Sequence, residues 1–388
     1  MTNRSVYLDY AATTPVAPAV AARMAECLTL EGAFGNPGSA SHEYGERASE
    51  LVERARAQVA AAVGAEAAEI VWTSGATEAN NLAIFGTAHH YRDAGRHIVT
   101  SRTEHKSVLD PCRELERQGW RVTRVAPDRD GILDPGRVAA ALRPDTVLVS
   151  IMHVNNEIGT IHDIAAIAAL CARAGTARFH VDAAQSVGKC AVDFGSLGID
   201  LLSLSAHKAY GPKGAGALAV SRRRGVQLTP LQYGGGQERT LRSGTVATHQ
   251  AVGMGAAFTL ASADPGAEFE RIAGLKARLW RGLAAIGGAT LNGAGVSVPH
   301  VLNVSFEGVE GESLLAAVQP IIAVSTGSAC TSATREPSYV LRALGRDDRL
   351  AESSLRFSLG RFTSESDIDT AVAAVSDAVR RLRAIAGA

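Results

Sequence analysis

Between residues 44 and 63 apolar side chains recur at Ala48, Leu51, Val52, Ala55, Val59, Ala62 and Val63. This is the 3.6-residue period of a helix with one buried face, and Gly64 follows as its C-terminal stop. The next apolar run, Glu69-Ile70-Val71-Trp72-Thr73, is short and β-rich, and it predicts a strand. Ser74-Gly75-Ala76-Thr77-Glu78 then turns into a helix reaching about Tyr91. Further strands are predicted at 97–101, 120–125, 146–152, 179–182, 201–205 and 216–220, with helices at about 104–118 and 163–174. Strands alternating with helices of this length predict crossover units and an α/β fold with a mostly parallel, buried sheet.

In such sheets ligands bind beyond the carboxyl ends of the strands. The polar clusters fall at those ends: Ser74–Glu78, Thr103–Lys106, Asn155–Glu157, Asp182–Gln185 and Ser205–Lys208. Several separate segments are therefore expected to aim polar groups at one crevice. After about residue 255 the pattern changes. A long helical stretch leads to a strand at 301–306, a helix at 312–318 and a strand at 355–359. The last helix, about 366–385, starts behind the capping box Ser364-Glu365-Ser366-Asp367. The expected organisation is a large domain over 16–254 and a smaller α+β domain built from 1–15 and 255–388.

Composition narrows the function classes. Lys+Arg and Asp+Glu each number 39, so there is no general electrostatic drive towards nucleic acid or an anionic membrane. With 46% hydrophobic and 20% charged residues the chain is globular rather than disordered. No apolar run approaches the roughly 18–20 residues that span a bilayer. The opening Met1-Thr2-Asn3-Arg4-Ser5-Val6 lacks an apolar signal region, so a cytoplasmic location is expected. The cysteines, Cys27, Cys112, Cys171, Cys190 and Cys330, show no C-x-x-C spacing, and their odd count argues against a disulfide framework. The first four read as small buried hydrophobes. Cys330 lies among small and hydroxylated residues in Ser325-Thr326-Gly327-Ser328-Ala329-Cys330-Thr331-Ser332-Ala333, the composition of a loop rather than a core, where a thiol is either reactive or incidental.

The chemistry-bearing positions are ambiguous one at a time. Lys208, just after a buried strand in Ser205-Ala206-His207-Lys208-Ala209-Tyr210-Gly211-Pro212-Lys213-Gly214, is either a surface lysine in a glycine-rich turn or an amine whose desolvation makes it nucleophilic. A Schiff base to an aldehyde cofactor would remove its burial cost, and Ser205 and His207 beside it suit a phosphate. The same segment matches no nucleotide-loop pattern. Asp182 at a strand end either caps a helix or pairs with a protonated ring nitrogen, the partner a pyridinium electron sink needs. Ala76 and Thr77 open a helix whose N–H groups face either a plain cap or a phosphate. His105 either caps a helix or stacks on an aromatic cofactor; no companion histidine gives it metal-ligand spacing. Arg356, mid-strand among apolar residues, serves either an internal ion pair or a carboxylate ligand.

Taken together and in this order, the segments resemble one family: the pyridoxal-phosphate-dependent cysteine desulfurases, in the class-V aminotransferase family, that include the housekeeping iron–sulfur cluster enzyme and the nitrogenase-associated enzyme. The resemblance runs from Tyr7-Leu8-Asp9-Tyr10-Ala11-Ala12-Thr13-Thr14-Pro15 to Arg356-Phe357-Ser358-Leu359-Gly360-Arg361-Phe362. Its most specific pieces are Met152–Gly159, Ser205–Gly214, Arg242-Ser243-Gly244-Thr245 and Gly327–Ser332. It implies an aspartate-aminotransferase-type fold (fold type I), pyridoxal 5′-phosphate as cofactor, L-cysteine as substrate and a homodimer. By the resemblance, Lys208 binds the cofactor covalently, Asp182 pairs with the pyridine nitrogen and His105 stacks on the ring. Gln185 and Asn156 lie near the ring, with Asn156 also near substrate. Ala76, Thr77, Ser205 and His207 hold the phosphate, and Thr245 reaches the phosphate of the neighbouring subunit. Arg356 takes the substrate carboxylate.

Cys330 would accept the sulfur as a persulfide, on a loop at about 324–336, and pass it to an acceptor protein for iron–sulfur cluster assembly or another thiolation pathway. No metal site is implied, apart from transient ligation of an iron–sulfur cluster by Cys330. A selenocysteine lyase or another fold-type-I enzyme is the alternative. The housekeeping members carry a C-terminal tail beyond the point where this sequence ends. On the resemblance that leaves the acceptor pathway open among cluster, nitrogenase, tRNA and DNA thiolation.

Overall fold

The structure is a computed structural model that describes residues 4–175, 177–326 and 336–387. Its strands are β1 (Val6–Tyr7), β2 (Ile70–Thr73), β3 (His97–Ser101), β4 (Arg121–Val125), β5 (Thr146–Met152), β6 (Arg178–Asp182), β7 (Leu201–Ser205), β8 (Gly216–Val220), β9 (Ala289–Asn292), β10 (Val301–Phe306), β11 (Ile322–Ala323) and β12 (Ser354–Ser358). Seven of them form one sheet in the order β2-β8-β7-β6-β5-β3-β4. The pairs from β7 across to β4 are parallel, and β8 is antiparallel to both its neighbours. The reversal has a simple cause. Only residues 206–215 separate β7 from β8, and a parallel crossover needs about a dozen residues or more. The chain instead folds straight back, and that short return carries Lys208.

Both faces of the sheet are covered, as a parallel sheet requires. Consecutive residues of one strand enter opposite cores: Leu148 and Val149 of β5, and Leu201 and Leu202 of β7. The helix Ala76–His90 packs on one face, with Leu82 beside Leu201 and Leu218. The helix Glu43–Ala62 packs Val52 and Val59 into the core of the other face. It ends as its sequence predicts, with Gly64 at φ +67° in the left-handed region.

The second sheet is antiparallel, in the order β12-β10-β9. Its apolar residues, among them Leu302, Val304, Phe306, Leu355 and Phe357, bury against Leu279 of the helix Pro265–Ala284 and Val375 of the helix Glu365–Ala386. The capping box at Ser364 and Asp367 is formed. The helical stretch expected after residue 255 is two helices, Thr248–Ser262 and Pro265–Ala284, divided at Asp264, which caps the second. The N-terminal segment is stitched into this region: β1 pairs in parallel with β11, and the Tyr10 N–H donates to Ser358 O at 3.3 Å. Sequence periodicity missed the helices Pro18–Ala25, Pro135–Ala141, Tyr339–Ala343 and Asp348–Glu352 and the strands β1, β9 and β11, each of eight residues or fewer. No helix among the described residues is long and apolar enough to cross a membrane.

Candidate active site

A cleft of about 570 Å³ opens at the carboxyl ends of the parallel strands. Into it converge Ala76, Thr77, His105, Asn156, Asp182, Gln185, Ser205, His207, Lys208 and Arg356. Two of the parallel strands deliver a residue by ending there: Asp182 is the last residue of β6 and Ser205 the last of β7. Thr245 is not among them. It lines a separate hollow of about 150 Å³ that shares Ser74 and Gly214 with the cleft. Cys330 lies outside the described residues, while Ser325, five positions before it, lines the cleft.

Asp182 caps no helix. One carboxylate oxygen accepts from Asn80 Nδ2 at 2.8 Å and the other from the Ala184 N–H at 3.0 Å, so its side chain is fixed by two neutral donors, and among the described residues no cation is hydrogen-bonded to it. Asn80 also donates to Ser107 Oγ, which bonds His105 Nδ1, both at 2.8 Å. His105 is the N-cap of the helix Lys106–Arg117, accepting from the Ser107 N–H. The helix cap and the cleft-lining ring are thus one residue, positioned through the chain of contacts that also holds Asp182.

Lys208 ends a single 3-10 turn, Ala206–Lys208, and its Nζ donates to the carbonyls of Ala11 (2.6 Å) and Ala12 (2.7 Å). The same N-terminal segment is locked to the turn by Thr14, whose N–H and hydroxyl both donate to His207 O and whose Oγ1 accepts from the Tyr210 N–H. Tyr210 has φ +64°, an unusual value for a non-glycine residue that this bond helps to hold. Gln185 Nε2 donates to Ala11 O at 2.9 Å, so the Ala11 carbonyl serves both Gln185 and Lys208. Burial, reinforced by Lys208, Lys213 and Lys189, takes His207 down to about 4, so its ring is neutral at pH 7.

Arg356 sits mid-strand in β12, where the period-two alternation sends Leu355 and Phe357 into the core and Arg356 to the opposite face. One terminal nitrogen donates to Asn156 O at 3.0 Å and the other to Asp9 Oδ1 at 2.9 Å. Its Nε is buried with no hydrogen-bond partner among the described residues. The internal ion pair expected of this arginine is formed, and the residue also lines the cleft. Burial also corrects one expectation. Cys27, Cys112 and Cys171 are buried as predicted, but Cys190 is half-buried, with its Sγ 3.7 Å from His153 Nδ1.

The donors fit a phosphorylated pyridine aldehyde. Ser205 Oγ is buried on the cleft without a partner among the described residues. The helix Ala76–His90 begins behind Gly75, which offers no side chain to its first N–H groups and sits at φ +151°. A Cβ on Gly216 would lie 2.4 Å from Gly75 Cα, so two glycines shape this corner. First-turn N–H groups without an internal partner suit a phosphate.

Residues 6–371 match the model of the family described as aminotransferase class-V. The chain belongs to the class-V aminotransferase family. Its relatives include the cysteine desulfurase IscS of Azotobacter vinelandii, 58% identical over 379 residues that cover 97% of this chain and 93% of the relative. A solved NifS-like protein superposes with a TM-score of 0.91 at 33% identity, covering 98% of this chain and 100% of that one. A structure of SspA in complex with cysteine superposes with a TM-score of 0.82 at 37% identity, covering 93% and 100%. In this family member several site residues carried no signal of their own in the sequence. Asn80 is a polar position inside a helix, and Asp9 and Lys189 are single charges within short irregular segments.

Proposed function

We infer that this chain is a cysteine desulfurase that takes sulfur from L-cysteine, leaving L-alanine and a persulfide on Cys330. The observation that carries the reading is the convergence of Lys208, Asp182 and Arg356 on one cleft, in a chain 58% identical to a cysteine desulfurase over almost its whole length.

Pyridoxal 5′-phosphate, when bound, supplies an electron sink for the pair left on the substrate Cα when its proton departs. Lys208 is the residue that would hold it covalently. Ser205, His207 and the N–H groups of Ala76 and Thr77 would take its phosphate, and His105 would lie against its ring. Asp182, oriented by Asn80 and Ala184, would favour a proton on the ring nitrogen of that group by its negative charge. Arg356 binds the substrate carboxylate with the N–H groups that Asp9 and Asn156 leave free, which fixes Cα beside Lys208. Lys208, as a free amine, removes the Cα proton and returns one to the product. The Cys330 thiolate attacks the substrate sulfur. An S–S bond forms as the C–S bond breaks, and the carbon side keeps the electron pair and is protonated on the way to alanine. Ser325 on the cleft wall is five residues from Cys330, a span of at most about 17 Å of extended chain.

Thr245, on the neighbouring hollow, is assigned to the phosphate of a second subunit, so the working unit is a homodimer. The large domain is 16–254, and 1–15 with 255–388 make the smaller one. The location is cytoplasmic, and the persulfide goes to an acceptor protein. The test is to incubate the purified protein with L-cysteine and map the Cys330 peptide by mass. A sulfur adduct there, lost in Cys330→Ala while the coloured cofactor stays, is the expected result. Sulfide release that survives Cys330→Ala would remove Cys330 from the mechanism.

A further inference from the structure

Behind the cleft lies a second lysine. Lys189 is buried, and its Nζ donates to Gln185 Oε1 at 2.5 Å. No carboxylate pairs with it among the described residues. Lys189 and Lys208 line the same small internal cavity, of about 10 Å³. The carboxylate on that cavity, Glu268, is already committed to Arg361 at 2.7 Å. A buried ammonium with one neutral acceptor is costly to keep, which calls for an explanation beyond packing.

The hydrogen-bond chain supplies one. Protonated Lys189 only donates and the Ala11 carbonyl only accepts, so between them they hold Gln185 in one amide orientation: oxygen to Lys189, NH2 to Ala11 O. Ala11 O in turn receives Lys208 Nζ. The two lysines are therefore linked through Gln185 and one carbonyl, as well as by charge.

We propose that Lys189 is a positioning residue of the cofactor site, holding the Gln185 amide with its N–H side towards the cofactor and opposing a second positive charge at Lys208. This rests on the cofactor reading given above. Other charges reach Lys189. Lys208 and Arg356 oppose its protonation and the Cys190 group favours it, while burial is the largest influence and takes Lys189 down to about 7. His207 and His300 also feel its charge and are held low, mainly by burial. Across the small cavity stand Glu268, Arg361, Tyr10 and Tyr210, the first two paired with each other.

The test is the pH midpoint of the visible absorption change of the cofactor-loaded protein. Removing a nearby cation favours the protonated form of whatever Lys208 carries, and removing the donor that orients Gln185 acts in the same direction. Lys189→Met should therefore raise the midpoint by about half a pH unit or more, and Lys189→Arg, which keeps the charge, should bring it back towards the parent value. Lys189→Gln carries the same test should the methionine variant fail to fold. In cofactor-free protein, trapping of Lys208 with an aldehyde and borohydride, read by peptide mass, should need higher pH in Lys189→Met than in the parent. A midpoint within about 0.2 unit of the parent in folded Lys189→Met or Lys189→Gln, with an unchanged trapping profile, would overturn the proposal. A parent protein with no visible band would instead overturn the cofactor reading on which it rests.

Discussion

The two sheets bring residues to the cleft in different ways. The seven-stranded sheet uses its ends: Asp182, Ser205 and the turns after β2, β3 and β5 lie where parallel strands stop, held by backbone that the sheet has already fixed. The three-stranded sheet uses a middle: Arg356 leaves the centre of β12, with apolar neighbours anchored on the far face. Strand ends can gather groups from many segments, and they shape the pocket that would hold a cofactor. A mid-strand arginine offers one group with a fixed direction, which suits a single carboxylate. The division predicts that damage to the first region acts on the cofactor and the rate, and damage to the second acts on substrate affinity.

The largest expected effect is that of Lys208→Ala, which removes both the covalent anchor and the base. Desulfurase activity should fall by at least about 10³-fold, measured as alanine formed from L-cysteine, and the visible band should change. Retained turnover would break the assignment of the β7–β8 return as the catalytic segment. Asp182→Asn should come next, lowering kcat by about 10²-fold or more with a modest change in KM. Arg356→Gln should invert that split. KM for L-cysteine should rise by about 10²-fold, while cofactor uptake, followed by absorbance, stays near the parent. An equal loss of cofactor in Arg356→Gln would erase the proposed difference between the sheets. Asn80→Ala, which touches Asp182 only by a neutral hydrogen bond, should cost about tenfold or less in kcat.

A last test sharpens the comparison through stability rather than rate. His153, His162 and His180 are buried behind the cleft, and burial holds each at about 4. Below their unfolded value, 6.5, the unfolded chain binds protons that the folded chain refuses. Stability is therefore full above pH 6.5 and is lost as pH falls from there towards 4. The expected readout is a Tm that declines steadily from pH 6.5 to 4.5. A flat Tm over that interval would show that these rings are not held neutral.

Much of this was legible in the sequence because polar groups interrupt apolar runs at strand ends. Asp182 closes a run of buried residues, and Lys208 follows one within three positions, so hydrophobic patterning alone located both. Arg356 was visible for the opposite reason, a charge inside an apolar strand. The roles were less legible. His105 as cap or ring partner was open, and the structure makes it the cap of its helix while it lines the cleft. Asn80 was hidden because a helix interior accepts a polar residue on a solvent face, and only tertiary packing shows that this one is buried. Asp9 belongs to a segment with no periodicity, placed by pairing to a strand more than 300 residues away. The reversed β8 was not foreseen, since it follows from the length of a connection rather than from strand composition.

The account depends most on the amine of Lys208, poised over the Ala11 and Ala12 carbonyls at the end of β7. The direct measurement is borohydride reduction of the cofactor-loaded protein, followed by digestion and peptide mass mapping. A pyridoxyl-phosphate adduct on the peptide containing Lys208, absent from that peptide in Lys208→Ala, is the result expected. An adduct on Lys189 or Lys213 instead, or no adduct on any lysine, would contradict it.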